Sequence, residues 1–138
     1  MLKKRGFTLV EIIVVVIIVG ILAAFGMTQY VPIKERSLNR AVKPILSLIR
    51  AAEKDYKMDH GTFYPSSGTE NNLVNINTNL KLSLPVSASI DWTISLDCTT
   101  TGFANATRSG TGADGRVWKI DFPGDANPSC TGGTYCNT

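Results

Sequence analysis

An unbroken apolar segment near the N-terminus constrains this chain more than any other feature. Residues 12–27, IIVVVIIVGILAAFGM, contain no polar side chain. With residues 7–11, where only Thr8 and Glu11 are polar, the segment as a helix spans about 31 Å, close to the thickness of a bilayer's hydrocarbon core. Residues 12–19 are all β-branched, which disfavours a helix in water, whereas lipid forces every backbone group to be bonded internally. The segment therefore predicts a membrane-spanning helix or the apolar part of a signal sequence.

The net charge of +3 has its origin just before this segment. Lys3, Lys4 and Arg5 are consecutive cations, and from Gly6 onward 11 basic side chains balance 11 acidic ones. Cations on this side of an apolar span keep that end cytoplasmic. The basic charge thus concerns orientation, and we expect no nucleic-acid binding. A length of 138 residues allows one modest domain with an appendage and excludes a multi-domain enzyme.

Glu11 is the unexpected residue of the apolar segment. An ionisable side chain inside such a span costs about 2.5–3.5 kcal/mol at mid-bilayer, so it indicates a function. A Sec signal peptide, cleaved near residues 23–26, gives this carboxylate no role, and neither does a plain N-terminal anchor.

Residues 4–11, KRGFTLVE, followed by the Ile/Val run, resemble the N-terminal signature of type IV prepilins. That family includes type IV pilins and the pseudopilins of type II secretion. The resemblance implies that a prepilin peptidase cuts between Gly6 and Phe7 on the cytoplasmic face and methylates the new Phe7 amine. It also implies that Glu11 attracts the N-terminal amine of a neighbouring subunit. An ammonium and a carboxylate attract strongly at low dielectric, where either alone is costly.

Residues 31–60 predict an amphipathic continuation of the helix. Apolar residues spaced 4, 3, 4, 3 and 4 form one stripe, namely Leu38, Val42, Ile45, Ile49, Ala52 and Tyr56. We expect this stripe to pack under a globular head and the helix to stop at Gly61. Pro32 and Pro44 each remove one helix hydrogen bond, which predicts a kink or a loosened turn.

Residues 61–138 predict a β-rich head. Apolar and polar side chains alternate without exception over residues 86–98, which indicates a half-buried strand region with Trp92 facing the core. Further strands are predicted around residues 103–108 and 116–122, and residues 66–85 are predicted as a loop with a short strand or turn at 80–84. The fold class is therefore α+β and pilin-like, with a long N-terminal helix packed on an antiparallel sheet of three to four strands.

The cysteines of the head predict a disulfide, because a location beyond the membrane permits one. Cys130 and Cys136 close a short glycine-containing loop and are the favoured pair, whereas Cys98 with one of them is the rival pairing. Pilins often tie down their C-terminal segment in this way. No cysteine spacing fits a zinc site, and His60 is the only histidine.

Three aspartates are weak candidates for a metal site. The resemblance to major pseudopilins raises a calcium site at Asp114, Asp121 and Asp125, although Asp114-Gly115 fits a turn equally well. No other cofactor is predicted. The sequence shows no paired-carboxylate, Ser-His-Asp, Cys-His or phosphate-loop constellation, so we expect no enzyme.

These observations predict a structural subunit of a type IV filament, either a pilus or a secretion pseudopilus. Residues 1–6 are the leader, 7–30 the membrane span and later filament core, 31–60 the amphipathic half, and 61–138 the head. The implied partners are further copies of the chain, the prepilin peptidase, an inner-membrane assembly platform and minor pilins or pseudopilins. We expect the precursor in the bacterial inner membrane with a periplasmic head, and the product in a filament in the periplasm or outside the cell. The alternative is a Sec-secreted or anchored binding module that does not polymerise.

Overall fold

The computed structural model describes residues 7–85, 91–99 and 101–136. They belong to two compact units, which divide between Glu35 and Arg36. Along the chain the elements are helix α1 (Leu9–His60), strand β1 (Thr69–Glu70), helix α2 (Leu73–Asn79) and strands β2 (Trp92–Asp97), β3 (Phe103–Arg108), β4 (Val117–Asp121) and β5 (Ser129–Thr131).

Helix α1 ends where the sequence predicts. The N–H of Gly61 donates to the carbonyl of Lys57 at 2.8 Å, and Gly61 has a φ of +79°, the left-handed conformation that closes many helices. Pro32 and Pro44 both lie inside α1. The kink or loosened turn at these positions stays a prediction.

The sheet is an antiparallel meander in the order β1-β2-β3-β4-β5. Strand β3 matches its predicted range, β4 covers residues 117–121 of the predicted 116–122, and β2 covers 92–97 of the predicted strand region. Residues 86–90 of that region lie outside the described residues. The sheet has five strands rather than three to four, because β1 and β5 add short edges of two and three residues. Strands this short contain too few residues to show an alternation in the sequence.

The prediction of a loop over residues 66–85 was wrong for α2. Asn72 caps this helix, since its side-chain oxygen accepts from the N–H of Val74 at 2.9 Å. The two turns of α2 bury only Ile76 fully. Its sequence therefore lacks the periodic apolar stripe that would predict a helix. Residues 80–84 form a turn and an irregular segment that carries Leu80 and Leu84 into the core.

The core lies between α1 and one face of the sheet. The sheet contributes Trp92, Ile94, Leu96, Ala104, Ala106, Trp118 and Ile120, all nearly or fully buried, and Trp92 faces the core as predicted. On α1 the fully buried line is Val42, Leu46, Ile49 and Glu53, whereas four residues of the predicted stripe are only partly buried. The buried face of α1 is thus turned slightly from the predicted stripe, toward Leu46 and Glu53. Each aliphatic side chain buried here contributes about 1.5–3 kcal/mol relative to exposure.

Candidate processing and assembly site

The first part of α1 carries an exposed apolar surface. None of the Leu9–Gly26 segment is buried, and large side chains range from Phe7 at 78% exposed to Val14 at 48%. The segment is long and apolar enough to cross a membrane, and it is the one such helix among the described residues. A signal sequence near an N-terminus has the same length and composition.

Glu11 takes part in the start of α1. Thr8 precedes the helix, and its Oγ1 accepts from the N–H of Glu11 at 3.3 Å. The spacing Thr-x-x-Glu is that of a capping box, and a carboxylate in the first turn is also favoured by the helix dipole. The sequence-based predictions lack this local role, although the four residues from Thr8 to Glu11 suffice to indicate it. The contact that is formed uses the backbone N–H of Glu11, and only the sequence spacing suggests the reciprocal role of its carboxylate.

The cleavage site is only partly described. Phe7 lies exposed just before the helix, whereas Gly6 lies outside the described residues. Cleavage between the two and methylation of the Phe7 amine stay predictions.

The head also contains a C-terminal clasp, which we define as residues 130–136 with Asp114, Arg116 and Asn39. The structure forms the favoured disulfide, Cys130–Cys136, and leaves Cys98 as a free thiol. Within the closed loop, Gly133 has a φ of +69°, and an added Cβ would lie 2.5 Å from Asp114 Oδ2. The loop therefore approaches Asp114 more closely than any side chain at this position allows.

Asp114 holds the loop through its carboxylate. Its Oδ2 accepts from the N–H groups of Thr134 at 2.9 Å and Tyr135 at 3.3 Å, and its Oδ1 lies 2.8 Å from Arg116 Nη1. Burial raises the pKa of this carboxyl, but the N–H of Tyr135, the charge of Arg116 and the other backbone donors outweigh burial, so its pKa is lowered.

The clasp connects the sheet, the loop and α1. The fully buried Arg116 donates from Nε to Asn39 Oδ1 at 2.9 Å, and the indole N–H of Trp118 donates to the same oxygen at 3.2 Å. The Asn39 amide in turn donates to the carbonyl of Tyr135 at 2.7 Å. A buried cation and a buried amide thus have several partners each, as burial of polar groups requires.

Three known filament-system proteins are similar to part of this chain. The chain is 41% identical over 68 residues to the type II secretion system core protein G of Vibrio cholerae, a match that covers 49% of this chain and 45% of that protein. It is 37% identical over 54 residues to the type IV major pilin protein PilA of Myxococcus xanthus (39% and 24% covered) and 44% identical over 54 residues to a fimbrial protein of Pseudomonas aeruginosa (38% and 35%). The family model described as the prokaryotic N-terminal methylation motif matches residues 1–27.

The N-terminal part of the chain is thus similar to type IV pilins and pseudopilins and carries the prokaryotic N-terminal methylation motif. Pilins and pseudopilins are structural filament subunits rather than enzymes. The chain spans less than half the length of each of the three relatives named above. No solved structure matches it.

The three aspartates considered for calcium have other partners in the structure. Asp114 faces Arg116, Asp121 lies 3.2 Å from Lys119 Nζ, and Asp125 lies 2.6 Å from Lys54 Nζ. Over residues 7–85, 91–99 and 101–136, no group of three or more His, Cys, Asp or Glu side chains could hold a metal ion. The structure therefore does not bring the three aspartates together as a ligand set.

Cys98 and His60 also have local partners. The Cys98 thiol donates to the carbonyl of Tyr64 at 3.0 Å, and burial, with smaller contributions from Glu53 and Asp97, raises its pKa to about 11. His60 stacks on Tyr56 with ring centroids 4.0 Å apart. Neither arrangement activates a nucleophile or a base.

Proposed function

We propose that this chain is a type IV filament subunit, of a pilus or a type II secretion pseudopilus. Residues 1–6 leave as a leader when a prepilin peptidase cleaves between Gly6 and Phe7, and the Phe7 amine is methylated. Residues 7–30 hold the precursor in the bacterial inner membrane, with the N-terminus cytoplasmic and the head periplasmic. An assembly platform, with minor pilins or pseudopilins, then transfers it to the filament, where the same residues form the core.

The observation that supports this proposal best is the uncovered apolar half of α1. A soluble monomer rarely exposes a contiguous apolar patch beyond a few hundred Å², and here, apart from Glu11, the whole circumference of the Leu9–Gly26 segment is apolar and exposed. Lipid covers such a surface, and so does a bundle of Val/Ile-rich helices. Transfer between these environments needs no covalent change, because they are comparably apolar.

Glu11 supplies a reason for copies to associate in register. Cleavage at Gly6 creates a new ammonium at Phe7, four residues before Glu11. In a bundle of such helices, the ammonium of one subunit and the Glu11 carboxylate of the next neutralise each other in a low dielectric. The same carboxylate stands at the glutamate position of the Thr-x-x-Glu capping pattern, so a test must separate charge from capping.

Two substitutions make this separation. Glu11→Gln retains a side-chain oxygen for the capping pattern and removes the charge, whereas Thr8→Val removes the capping hydroxyl and keeps the charge. We expect Glu11→Gln to insert into the membrane normally and to lose assembly, measured as the yield of sheared filaments. Thr8→Val should assemble. Wild-type yield from Glu11→Gln, or loss of assembly in Thr8→Val alone, would contradict the pairing role.

A further inference from the structure

Four charged side chains between Arg36 and the end of α1 have no ionic, hydrogen-bond or ring contact within the described part of the chain. Between Arg36 and the end of the helix, most charged residues are engaged within the head. Lys54 pairs with Asp125, Arg50 donates to the carbonyls of Gly124 and Ala126, Lys43 lies over Trp118, Lys57 lies over Phe63, and Glu53 is buried. The remaining four are Arg36, Arg40, Asp55 and Asp59, and all four are exposed.

The spacing of these four residues is regular. The two arginines lie four residues apart, and so do the two aspartates, so each pair occupies adjacent turns. Counting from 36 to 55 and from 40 to 59 gives the same separation of 19 residues. At about 1.5 Å and 100° per residue, the acidic pair lies about 28 Å along the helix from the basic pair and is rotated by about 100°.

This arrangement fits a second copy of the chain. When a parallel copy is displaced by about 28 Å, both of its arginines come level with both aspartates of the first copy, and a rotation of about 80° about the helix axis turns the two pairs toward each other. The basic and acidic pairs are different patches on one molecule, so their contact is heterologous and does not close. The first and the last copy of such a row each keep one charged pair unused. Further copies can therefore be added.

The surface near the acidic pair can receive an arginine side chain. A groove of about 450 Å³ beside α1 is lined by Leu48, Leu80 and Leu82 together with Asp55 and Asp59, and the cation Lys81 also lines it. The methylene stem of an arginine packs on apolar side chains while its guanidinium reaches a carboxylate. Between the two charged pairs, the outer face of α1 exposes small or apolar residues, namely Ala41, Pro44, Leu48 and Ala51.

We infer that α1 carries a head-to-tail self-contact in which Arg36 and Arg40 of one copy face Asp55 and Asp59 of a parallel copy, 19 residues along the helix. The inference rests on the proposed filament, because membrane insertion with one orientation is what makes the copies parallel. It adds the axial register and the residues that set it. Like charges placed opposite each other repel, so an unstaggered parallel register, which brings arginine opposite arginine and aspartate opposite aspartate, is disfavoured.

Charge reversal tests the contact. In full-length chain expressed with its assembly machinery, we expect Arg40→Glu and Asp59→Arg each to lower the sheared-filament yield at least about tenfold. The double variant Arg40→Glu/Asp59→Arg restores the attraction and should recover most of the yield. Lys119→Glu and Asp121→Arg make the same changes of charge on the opposite face of the sheet and should leave the yield unchanged.

Crosslinking tests the direction of the contact. In a Cys98→Ser background, Arg36→Cys/Asp55→Cys should give a ladder of covalent oligomers on oxidation of filaments. An antiparallel pair would instead bring position 48 close to itself, so dimers from Leu48→Cys alone would overturn the inference.

The outcomes separate the register from the filament. If the wild-type chain forms no filaments, the proposed function fails. If it forms them and both single reversals assemble normally, or the double variant stays as defective as the singles while all variants unfold at the wild-type temperature, the register is wrong and the filament stands.

Discussion

Glu53 is fully buried on α1, and only one of its two carboxyl oxygens is hydrogen-bonded. Oε2 accepts from the N–H of Tyr64 at 2.9 Å, whereas Oε1 has no partner among the described residues. Burial raises the pKa of this carboxyl from 4.5 to about 7, against a lowering by the Tyr64 N–H. The folded state therefore binds a proton that the unfolded state releases over this range.

We predict that Glu53→Gln stabilises the head in a pH-dependent way. The folded pKa is raised, so the wild type loses stability as the pH rises from about 4.5 to 7, and the loss persists above that range. The amide keeps the acceptor for Tyr64 and carries no charge. Urea unfolding of the full chain in detergent should show a gain on the order of 2 kcal/mol at pH 8 and little gain at pH 5. Equal gains at both pH values would contradict the assigned pKa.

We predict that Cys98 reacts slowly although it is free. Its pKa of about 11, against the ordinary 9.0, lowers the thiolate fraction about a hundredfold near neutral pH. Alkylation with iodoacetamide at pH 7.5, followed by mass spectrometry, should be slower in the folded chain by about that factor than in the chain unfolded in urea. Equal rates in both states would show that the thiol is neither buried nor hydrogen-bonded.

At the scale of elements, the C-terminal loop is held by close approach as well as by its disulfide. Gly133 and Gly112 both have positive φ, at +69° and +81°, but a Cβ at Gly112 meets nothing within 4 Å. Alanine at either position pays the backbone cost of the left-handed conformation, on the order of 1–2 kcal/mol. Only at Gly133 does the new Cβ also collide with Asp114 and with Arg116 Cβ.

We therefore predict that Gly133→Ala costs more stability than Gly112→Ala. The excess should be at least about 1 kcal/mol in thermal or urea unfolding, because the loop must leave the Asp114 carboxylate. Equal losses in the two variants would show that the loop does not rest on Asp114.

Elements with a long, repeated pattern could be predicted from the sequence, and short ones could not. The helix formed by the apolar run, the helix end at Gly61 and strand β3 depend on local periodicity or on one backbone conformation, and these three predictions are confirmed, whereas the membrane span itself stays a prediction. Helix α2 and the edge strands depend on tertiary partners that their few residues do not reveal. The clasp joins Asn39 to residues almost a hundred positions later, which no spacing indicates. The capping pattern Thr8-x-x-Glu11 is local, so the sequence alone could have predicted it. Glu11 was predicted only to pair with the N-terminal amine of a neighbouring subunit.

At the scale of the whole molecule, two differently built parts share one chain. Residues 7–35 form a unit with an exposed apolar surface, whereas Arg36 onward folds around its own core of α1 and the sheet. The basic charge belongs to neither part, because the three surplus cations lie in residues 1–6 and leave with the proposed leader. The mature chain then carries 11 basic and 11 acidic side chains, and α1 has an arginine pair near its middle and an aspartate pair in its last two turns.

The identity of the first residue of the mature chain tests the proposed processing and assembly together. Intact-mass measurement and N-terminal sequencing of sheared, assembled material should give a chain that begins with methylated Phe7. A product that begins near residues 25–27 would show Sec processing, and an uncleaved chain in assembled material would show that assembly needs no cleavage after Gly6. Either result would contradict a filament built from a cleaved and methylated subunit.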